Sequence, residues 1–493
     1  MTLAARTLGA IIWAYGGFVG ERAFGLLTTM VLARIFLPSE FGILALALVV
    51  IAFIDAFHDF GLKDALIYHE VSDTTADSAM VMSVAIGMLQ CAVAVLLAPF
   101  ASYMIDDPRI VPLIQILSLT FLINAFSTSQ DGLLQKGLLF RSRYLADLCG
   151  AGVKAAVIIA LALADCGIWS VAIGTLSGAT VRTIARWLAV DWRPRLRFDP
   201  AHVRRLWAFG KHTLFVLLMG AMFARADYLA IVTFLDAERL GYYYIAARVP
   251  ELAIGSINLV LTAVLFPAYS QIKDDHERLK SAFCVTTRLS ILVIIPVSLG
   301  LVVTAREVIL VLFGARWLPG VPVFQALALV GLAMSLSWSA GDVLKALGRP
   351  ELQSYLAMLQ NGVGIPLAFL FTWWMRAPQW AAFGLLVGIL AAQGVRFWLA
   401  ARLLGLGPWE AVGLYRTGLC GGAAIIAAVL LVQHLLQGHA MLTLAASIAA
   451  GAMAYLPIAW TFERAVLQRL AGSFATWRKK PAPGAIAMPG GST

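Results

Sequence analysis

Long apolar runs recur from one end of the chain to the other, and no other feature limits its folding as strongly. They cover about 9–33, 41–62, 79–104, 112–134, 145–164, 167–190, 209–234, 241–269, 282–304, 322–347, 352–375, 380–404, 411–436 and 441–462. A hydrocarbon core of about 30 Å is crossed by roughly 20 apolar residues in a helix, so each run is long enough to span a bilayer. Inside lipid only helices and closed barrels satisfy every backbone group, and runs of this length suit helices. The pattern predicts an all-α integral membrane protein with about fourteen transmembrane helices. Composition agrees. Of 493 residues 61% are hydrophobic and 13% charged, with a mean hydropathy of +0.85. A soluble protein averages roughly 45–50% apolar and 25% charged, and its core cannot hide such an excess. No sizeable soluble domain fits between the runs. Residues 1–20 resemble a signal peptide, but the apolar pattern continues to Ala33 with no cleavage site before a polar segment, so they are expected to form an uncleaved first span.

The formal net charge is +10. The positive charges sit in alternate loops, so membrane topology accounts for them and nucleic acid is not an expected partner. Lys136, Arg141 and Arg143 follow span four. Arg186, Arg193, Arg195, Arg197, Arg204, Arg205 and Lys211 surround the six–seven connection. Lys273, Arg278 and Lys280 follow span eight, and Arg464, Arg469, Arg478, Lys479 and Lys480 lie in the tail. This bias places both termini in the cytoplasm, as an even number of spans also requires. Membrane lipids are expected contacts of these loops. Five scattered cysteines form no CxxC pair and are expected to be small core residues, with no metal site. The tail from Pro481 to Thr493 has too little apolar side chain to pack.

An internal repeat sets the organisation. Val111-Pro-Leu-Ile-Gln-Ile-Leu-Ser-Leu119 matches Val321-Pro-Val-Phe-Gln-Ala-Leu-Ala-Leu329, and Ser127, Ser129 and Leu134 then meet Ser337, Ser339 and Leu344 without a gap. Phe36-Leu-Pro-Ser-Glu-Phe-Gly42 resembles Phe234-Leu-Asp-Ala-Glu-Arg-Leu-Gly241 with one insertion. The unit is therefore about six helices. The expected division is a first six-helix lobe over 1–205, a second over 206–405, two extra helices over 406–463 and a basic, disordered tail over 464–493. Parallel repeats of this kind are related by an axis along the membrane normal and hold substrate at their interface.

Several segments carry a family resemblance. They include Leu32-Ala-Arg-Ile-Phe-Leu-Pro-Ser-Glu-Phe-Gly-Ile-Leu-Ala-Leu-Ala47, Asp59-Phe-Gly-Leu-Lys-Asp-Ala-Leu-Ile67, Gly167-Ile-Trp-Ser-Val-Ala172 and Leu240-Gly-Tyr-Tyr-Tyr-Ile-Ala-Ala-Arg248. Leu265-Phe-Pro-Ala-Tyr-Ser-Gln-Ile272, Leu312-Phe-Gly-Ala-Arg-Trp317 and Leu347-Gly-Arg-Pro350 extend it. In order and spacing they resemble the Wzx-type polysaccharide flippases of the MOP exporter superfamily, near the colanic-acid and succinoglycan exporters. The resemblance implies transport of undecaprenyl-diphosphate-linked oligosaccharide across the bacterial inner membrane through a cationic cavity between two lobes. It makes a polysaccharide polymerase and chain-length or export proteins candidate partners, and implies no cofactor and no catalytic residue. Two alternatives stand beside it: an integral-membrane glycan polymerase or ligase, and a drug or small-solute exporter of the same superfamily. Every external loop looks short for an acceptor-binding enzyme. No GxxxxGK[ST] loop occurs, so ATP does not drive transport from within this chain.

Ionisable residues inside the runs are the site candidates, because a charge at mid-bilayer costs at least about 2.5–3.5 kcal/mol and faces the interior. Arg22 is assigned to the diphosphate, with Arg225 and Arg248 as further cavity cations. Lys154, Arg396 and Asn258 complete the substrate-binding set. Glu21, Asp55 and Asp227 are the ion-coupling candidates. Asp55, Asp59 and Lys63 share a helix face, with His58 beside Asp55. Arg248 and Glu251 are spaced to meet at i, i+3.

Overall fold

The computed structural model describes residues 3–56, 73–137, 139–194, 220, 222–349, 351–436 and 438–479. Those residues form helices and turns, with no strand among them. The helices are α1 (Leu3–Ile35), α2 (Pro38–Asp55), α3 (Asp73–Ala101), α4 (Ile110–Ala125), α5 (Thr128–Lys136), α6 (Phe140–Leu163) and α7 (Trp169–Ala189). After a gap come α8 (222–234) and α9 (Ala237–Gln271), α10 (His276–Val303), α11 (Ala305–Leu312), a 3-10 turn (Ala315–Gly320), α12 (Val321–Ser335) and α13 (Trp338–Ala346). The last are α14 (Glu351–Met375), α15 (Gln379–Leu403), α16 (Pro408–Gly413), α17 (Arg416–Leu435) and α18 (Ala440–Lys479). Among the described residues nine helical segments are long and apolar enough to cross a membrane, or ten if the bent pair α4–α5 is one span. The runs expected over 41–62 and 209–234 extend into residues outside the description, as do His58, Asp59, Lys63 and the tail beyond 479.

Two of the expected spans are not continuous. The run over 112–134 bends by 43° between α4 and α5. The run over 322–347 breaks at the matching place. Ser127 and Ser337 are the N-cap residues of α5 and α13, with backbone angles (−117°, 2°) and (−124°, 24°) that leave the helical region. The same offset of 210 residues relates both helix ends, from Ala125 to Ser335 and from Lys136 to Ala346. It also relates Gly178 to Gly388, glycines at two helix crossings that sequence reading did not pick out. A Cβ on Gly178 of α7 would lie 2.7 Å from the Gly150 carbonyl of α6, and one on Gly388 of α15 would lie 2.5 Å from the Gly364 Cα of α14. Small residues at such points let two backbones touch, which is how helices associate where lipid is as apolar as leucine.

The halves meet at one end of the bundle. The turns after α1, α6, α8 and α14 and the 304–320 segment gather there around the largest buried cluster, which includes Phe36, Phe41, Ile168, Tyr243, Phe313 and Trp317. At its centre α2 crosses α9 with reciprocal backbone contact. A Cβ on Gly42 would sit 1.8 Å from the Ala237 carbonyl oxygen, and one on Gly241 would sit 1.8 Å from that of Pro38. Each glycine thus faces the carbonyl four residues before the other, as a two-fold relation between repeat copies demands. We call this the sealed end. Toward the opposite end the cluster of Leu265, Phe283, Val343 and Leu404 draws on the second half alone.

The cysteines correct an expectation. Cys149 and Cys420 are exposed on the bundle surface and Cys91, Cys166 and Cys284 are half-buried, so they are not core residues. In a membrane protein an apolar surface is covered by lipid, and small apolar side chains need no core to be dry.

Substituting Gly42→Ala or Gly241→Ala forces a methyl group into a carbonyl oxygen and is expected to cost about 1–3 kcal/mol. A lower melting temperature in detergent measures it. Gly25→Ala, with open space around the added Cβ, is expected to leave the melting temperature unchanged.

Candidate functional site

Distance along each helix from the sealed end places the charges. At 1.5 Å per residue, Glu21 and Arg22 lie about 20 Å before the end of α1, and Arg182 lies about 20 Å into α7. Arg248 lies about 17 Å into α9, while Lys154 and Arg225 lie about 14 Å from the sealed ends of α6 and α8. All six fall in one layer near the middle of a core about 30 Å thick.

The crossing of α6 and α7 builds the first-half part of this layer. A Cβ added at Gly178 would lie 2.7 Å from the Cβ of Lys154, and one added at Gly150 would lie 2.9 Å from the Cβ of Arg182, so the two cations stand at one close crossing. Arg182, Glu21 and Arg248 all act electrostatically on Lys154, which joins charges from both halves. Arg182 donates to Asn124 Oδ1 at 2.9 Å. Arg22 sits over the Phe18 ring, 5.2 Å from its centroid.

The second half contributes three aromatic-backed charges. The Arg248 guanidinium lies 3.8 Å from the Tyr244 ring centroid and 3.6 Å from the Glu251 carboxylate. Arg225 lies 5.7 Å from the Tyr228 ring. A ring under a guanidinium stabilises its charge and leaves the N–H edge available for an anion. Asp227 is buried and nearer the seal. It accepts from the Tyr243 hydroxyl at 2.5 Å and from the Tyr228 N–H at 2.9 Å.

Three sequence candidates lie elsewhere. Asn258 donates to Ser335 Oγ at 3.0 Å, beside the break between α12 and α13. Arg396 donates to Gln393 Oε1 at 2.8 Å, toward the end opposite the seal. Asp55 is the exposed last residue of α2. The structure therefore brings Glu21, Arg22, Lys154, Arg225 and Arg248 into one layer and leaves Asn258, Arg396 and Asp55 outside it. Sequence reading missed Arg182. Its spacing of four from Arg186 within an apolar run was the available signal, since both share one face of α7.

Between α1 and α9, at the level of this layer, a cavity of about 480 Å³ is lined by Val19, Ala23, Leu26, Leu27, Leu252, Ala253 and Ser256. Its walls are almost wholly apolar. No group of three or more metal-ligating side chains occurs among the described residues. Outside the layer, Asp131 of α5 is the hub of an ion-pair network. Arg143 Nε donates to it at 2.7 Å, Arg186 lies 3.2 Å away, and Arg186 also reaches Asp147 at 2.8 Å.

A bundle of membrane-crossing helices with a sealed end, a buried charged layer and broken helices in matching positions belongs to the class of multi-pass membrane transport proteins. Comparison with known proteins defines it further: the model of the family described as "Polysaccharide biosynthesis protein" matches residues 31–322, and this chain belongs to that family. The chain is 27% identical over 402 residues to the lipopolysaccharide biosynthesis protein WzxC of Escherichia coli (strain K12), covering 80% of each. It is 26% identical to the succinoglycan biosynthesis transport protein ExoT of Rhizobium meliloti (strain 1021), covering 99% of each. Its fold is similar to the solved lipid II flippase MurJ in an inward closed conformation, with a TM-score of 0.76, 14% identity and coverage of 93% of this chain and 100% of that one. A multidrug resistance MATE transporter of the MOP superfamily is similar at a TM-score of 0.55, with 18% identity and coverage of 79% and 94%.

Asp131 is 1% exposed and faces two arginines that are themselves largely covered. Asp131→Ala removes the carboxylate from Arg143 and leaves Arg186 with Asp147 alone, and is expected to cost about 3–5 kcal/mol. The readout is loss of monodisperse protein on gel filtration, with Asp131→Asn retaining more than Asp131→Ala.

Proposed function

We propose that the protein is a flippase that moves lipid-linked oligosaccharide units, carried on undecaprenyl diphosphate, across the bacterial inner membrane for surface or exopolysaccharide synthesis. The observation that carries this reading is the charged layer drawn from both halves of a chain in this family. Arg22, Lys154, Arg182, Arg225 and Arg248 are five cations, against Glu21 in the layer, Glu251 beside Arg248 and Asp227 nearer the seal, so the site is net positive. A disubstituted diphosphate carries about two negative charges, one per phosphoryl group. The layer thus offers the compensation that the headgroup loses on leaving water. The apolar cavity between α1 and α9 gives the polyprenyl chain a lateral place while the headgroup occupies the layer.

In this reading residues 1–205 and 206–405 form two lobes that rock about the α2–α9 crossing, 406–463 add two helices, and 464–493 form a basic tail. The loops rich in Lys and Arg lie at the end opposite the seal, and the positive-inside bias supports a cytoplasmic position for that end and for both termini. The cavity then opens inward and the seal faces outward. Glu21 and Asp227 are the groups through which a proton or sodium gradient is coupled, and Asp55, Arg396 and Asn258 line the inward path. Lys154 and Arg182 hold one phosphoryl group, with Arg22 and Arg248 on the other. No step of this cycle makes or breaks a covalent bond, so the protein is a transporter and not an enzyme. Its working partners are membrane lipids, polysaccharide polymerase and chain-length or export proteins.

Likeness to the MATE fold supports a second reading, export of a small solute. A strain lacking the protein separates the two. The flippase reading expects lipid-linked units to accumulate facing the cytoplasm, protected from a membrane-impermeant glycosidase in spheroplasts, with surface polysaccharide lost. Drug sensitivity with normal surface polysaccharide would overturn it. Lys154→Ala and Arg248→Ala are each expected to lower export at least tenfold without changing protein abundance.

A further inference from the structure

The sealed end carries a set of contacts that the packing alone does not require. The last carbonyls of an α-helix have no partner within the helix. Leu32 O at the end of α1 is satisfied by the Phe36 N–H at 2.8 Å. Two others are satisfied from the opposite half: Trp317 Nε1 donates to Ala33 O at 2.9 Å, and Arg316 Nη1 donates to Phe36 O at 3.0 Å. The exchange is mutual. Arg34 Nη2, on α1, donates to Val311 O at 3.1 Å, near the end of α11. Each half therefore caps a helix C-terminus of the other, with cationic donors at the negative end of the helix dipole. Arg34 also lies against Gly314, whose φ of +102° turns the backbone tightly; a Cβ there would meet Arg34 Nη1 at 2.9 Å.

The three donors differ in what surrounds them. Trp317 is 1% exposed and stands edge-on to Phe41, 5.2 Å between centroids. Arg34 and Arg316 are exposed at the rim. A bond made at the rim is exchanged for bonds to water when it breaks, so its net contribution is small and it opens reversibly. The second half contains the same contact in a form that crosses nothing. Arg376 Nη1 donates to Phe234 O at 3.0 Å, and Phe234 is the repeat counterpart of Phe36.

We infer that Trp317, Arg316 and Arg34 form a release latch between the halves, whose mutual capping of α1 and α11 sets how often the sealed end opens. This rests on the alternating-access reading above. The aromatic cluster keeps the closed state dry, and the rim arginines tune its lifetime.

The test uses full-length protein with its native cysteines replaced and a single reporter, Ala253→Cys, in the cavity wall. A membrane-impermeant maleimide is added to spheroplasts. Trp317→Phe, which keeps an aromatic ring but removes the N–H, and Arg34→Gln with Arg316→Gln are each expected to raise the labelling rate at least fivefold. Arg376→Gln is expected to label at the parent rate. Arg34→Gln alone, at an exposed site, is expected to raise the rate about twofold and guards against misfolding of the Trp317 variant. Equal labelling of parent and latch variants, at matching melting temperatures, overturns the latch. So does an equal rise in Arg376→Gln. Surface glycan measured in the same strains separates this from the substrate assignment. Faster labelling without any role in glycan export keeps the latch and removes the substrate, whereas unchanged labelling with normal export removes the latch alone.

Discussion

The α2–α9 crossing is the constraint on which the rest of the structure depends. Two helices approach so closely that each presents a carbonyl oxygen where the other's Cβ would stand, and only glycine at 42 and 241 permits it. Because the contact is reciprocal, α2 and α9 meet there as equivalents, each glycine against a carbonyl of the other. The aromatic side chains of Phe36, Phe41, Tyr244 and Trp317 close around the crossing and exclude water there. Helices that converge at one point and carry bulky side chains elsewhere must diverge beyond it. The apolar cavity between α1 and α9 lies where that divergence begins.

Divergence makes the charged layer tolerable. An uncompensated ion in hydrocarbon is costly, and each member of the layer has a local device that lowers the cost. Rings lie under Arg22, Arg225 and Arg248; Glu251 pairs with Arg248; Asn124 accepts from Arg182. Lys154 has no ring beneath it and depends on Glu21 among its neighbours. An ammonium carries its charge as a point on a flexible stem, whereas the arginines around it present a fixed fork, so the two kinds of cation differ in how far they set direction.

Much of this was legible in the sequence, and what was not has physical reasons. The Val-Pro-x-x-Gln repeat located both broken helices, since Pro starts a helix and Ser127 and Ser337 stand at the N-cap positions of the next one. It did not reveal the breaks, because apolar residues continue across them and hydropathy does not register a change of direction. The pairing of Arg248 with Glu251 followed from i, i+3 spacing. Arg182 escaped because it sits one turn from Arg186, and a pair of arginines near the end of an apolar run reads as a loop signal. The glycine crossings escaped for a different reason. A glycine within an apolar helix is common, and only the partner helix shows which ones are contacts. Asn258 and Arg396 were selected for being polar within a span, but each is bound to a polar side chain beside the α12–α13 break: Asn258 to Ser335, and Arg396 to Gln393, whose Nε2 donates to the Met334 carbonyl.

Opening the sealed end requires that two kinds of interaction be lost together. The aromatic cluster resists strongly, since apolar area returns to water, whereas the rim hydrogen bonds exchange with solvent at little net cost. If the cluster alone closed the seal, its strength would grow with every buried ring and the closed state would become a trap. Capping helix ends across the interface avoids this. Ala33, Phe36 and Val311 lie near the last turns of α1 and α11, so their carbonyls are satisfied by protein in the closed state and by water in the open one. Neither state leaves them orphaned, and the balance between the states can then be shifted by a few groups at the rim without repacking the core.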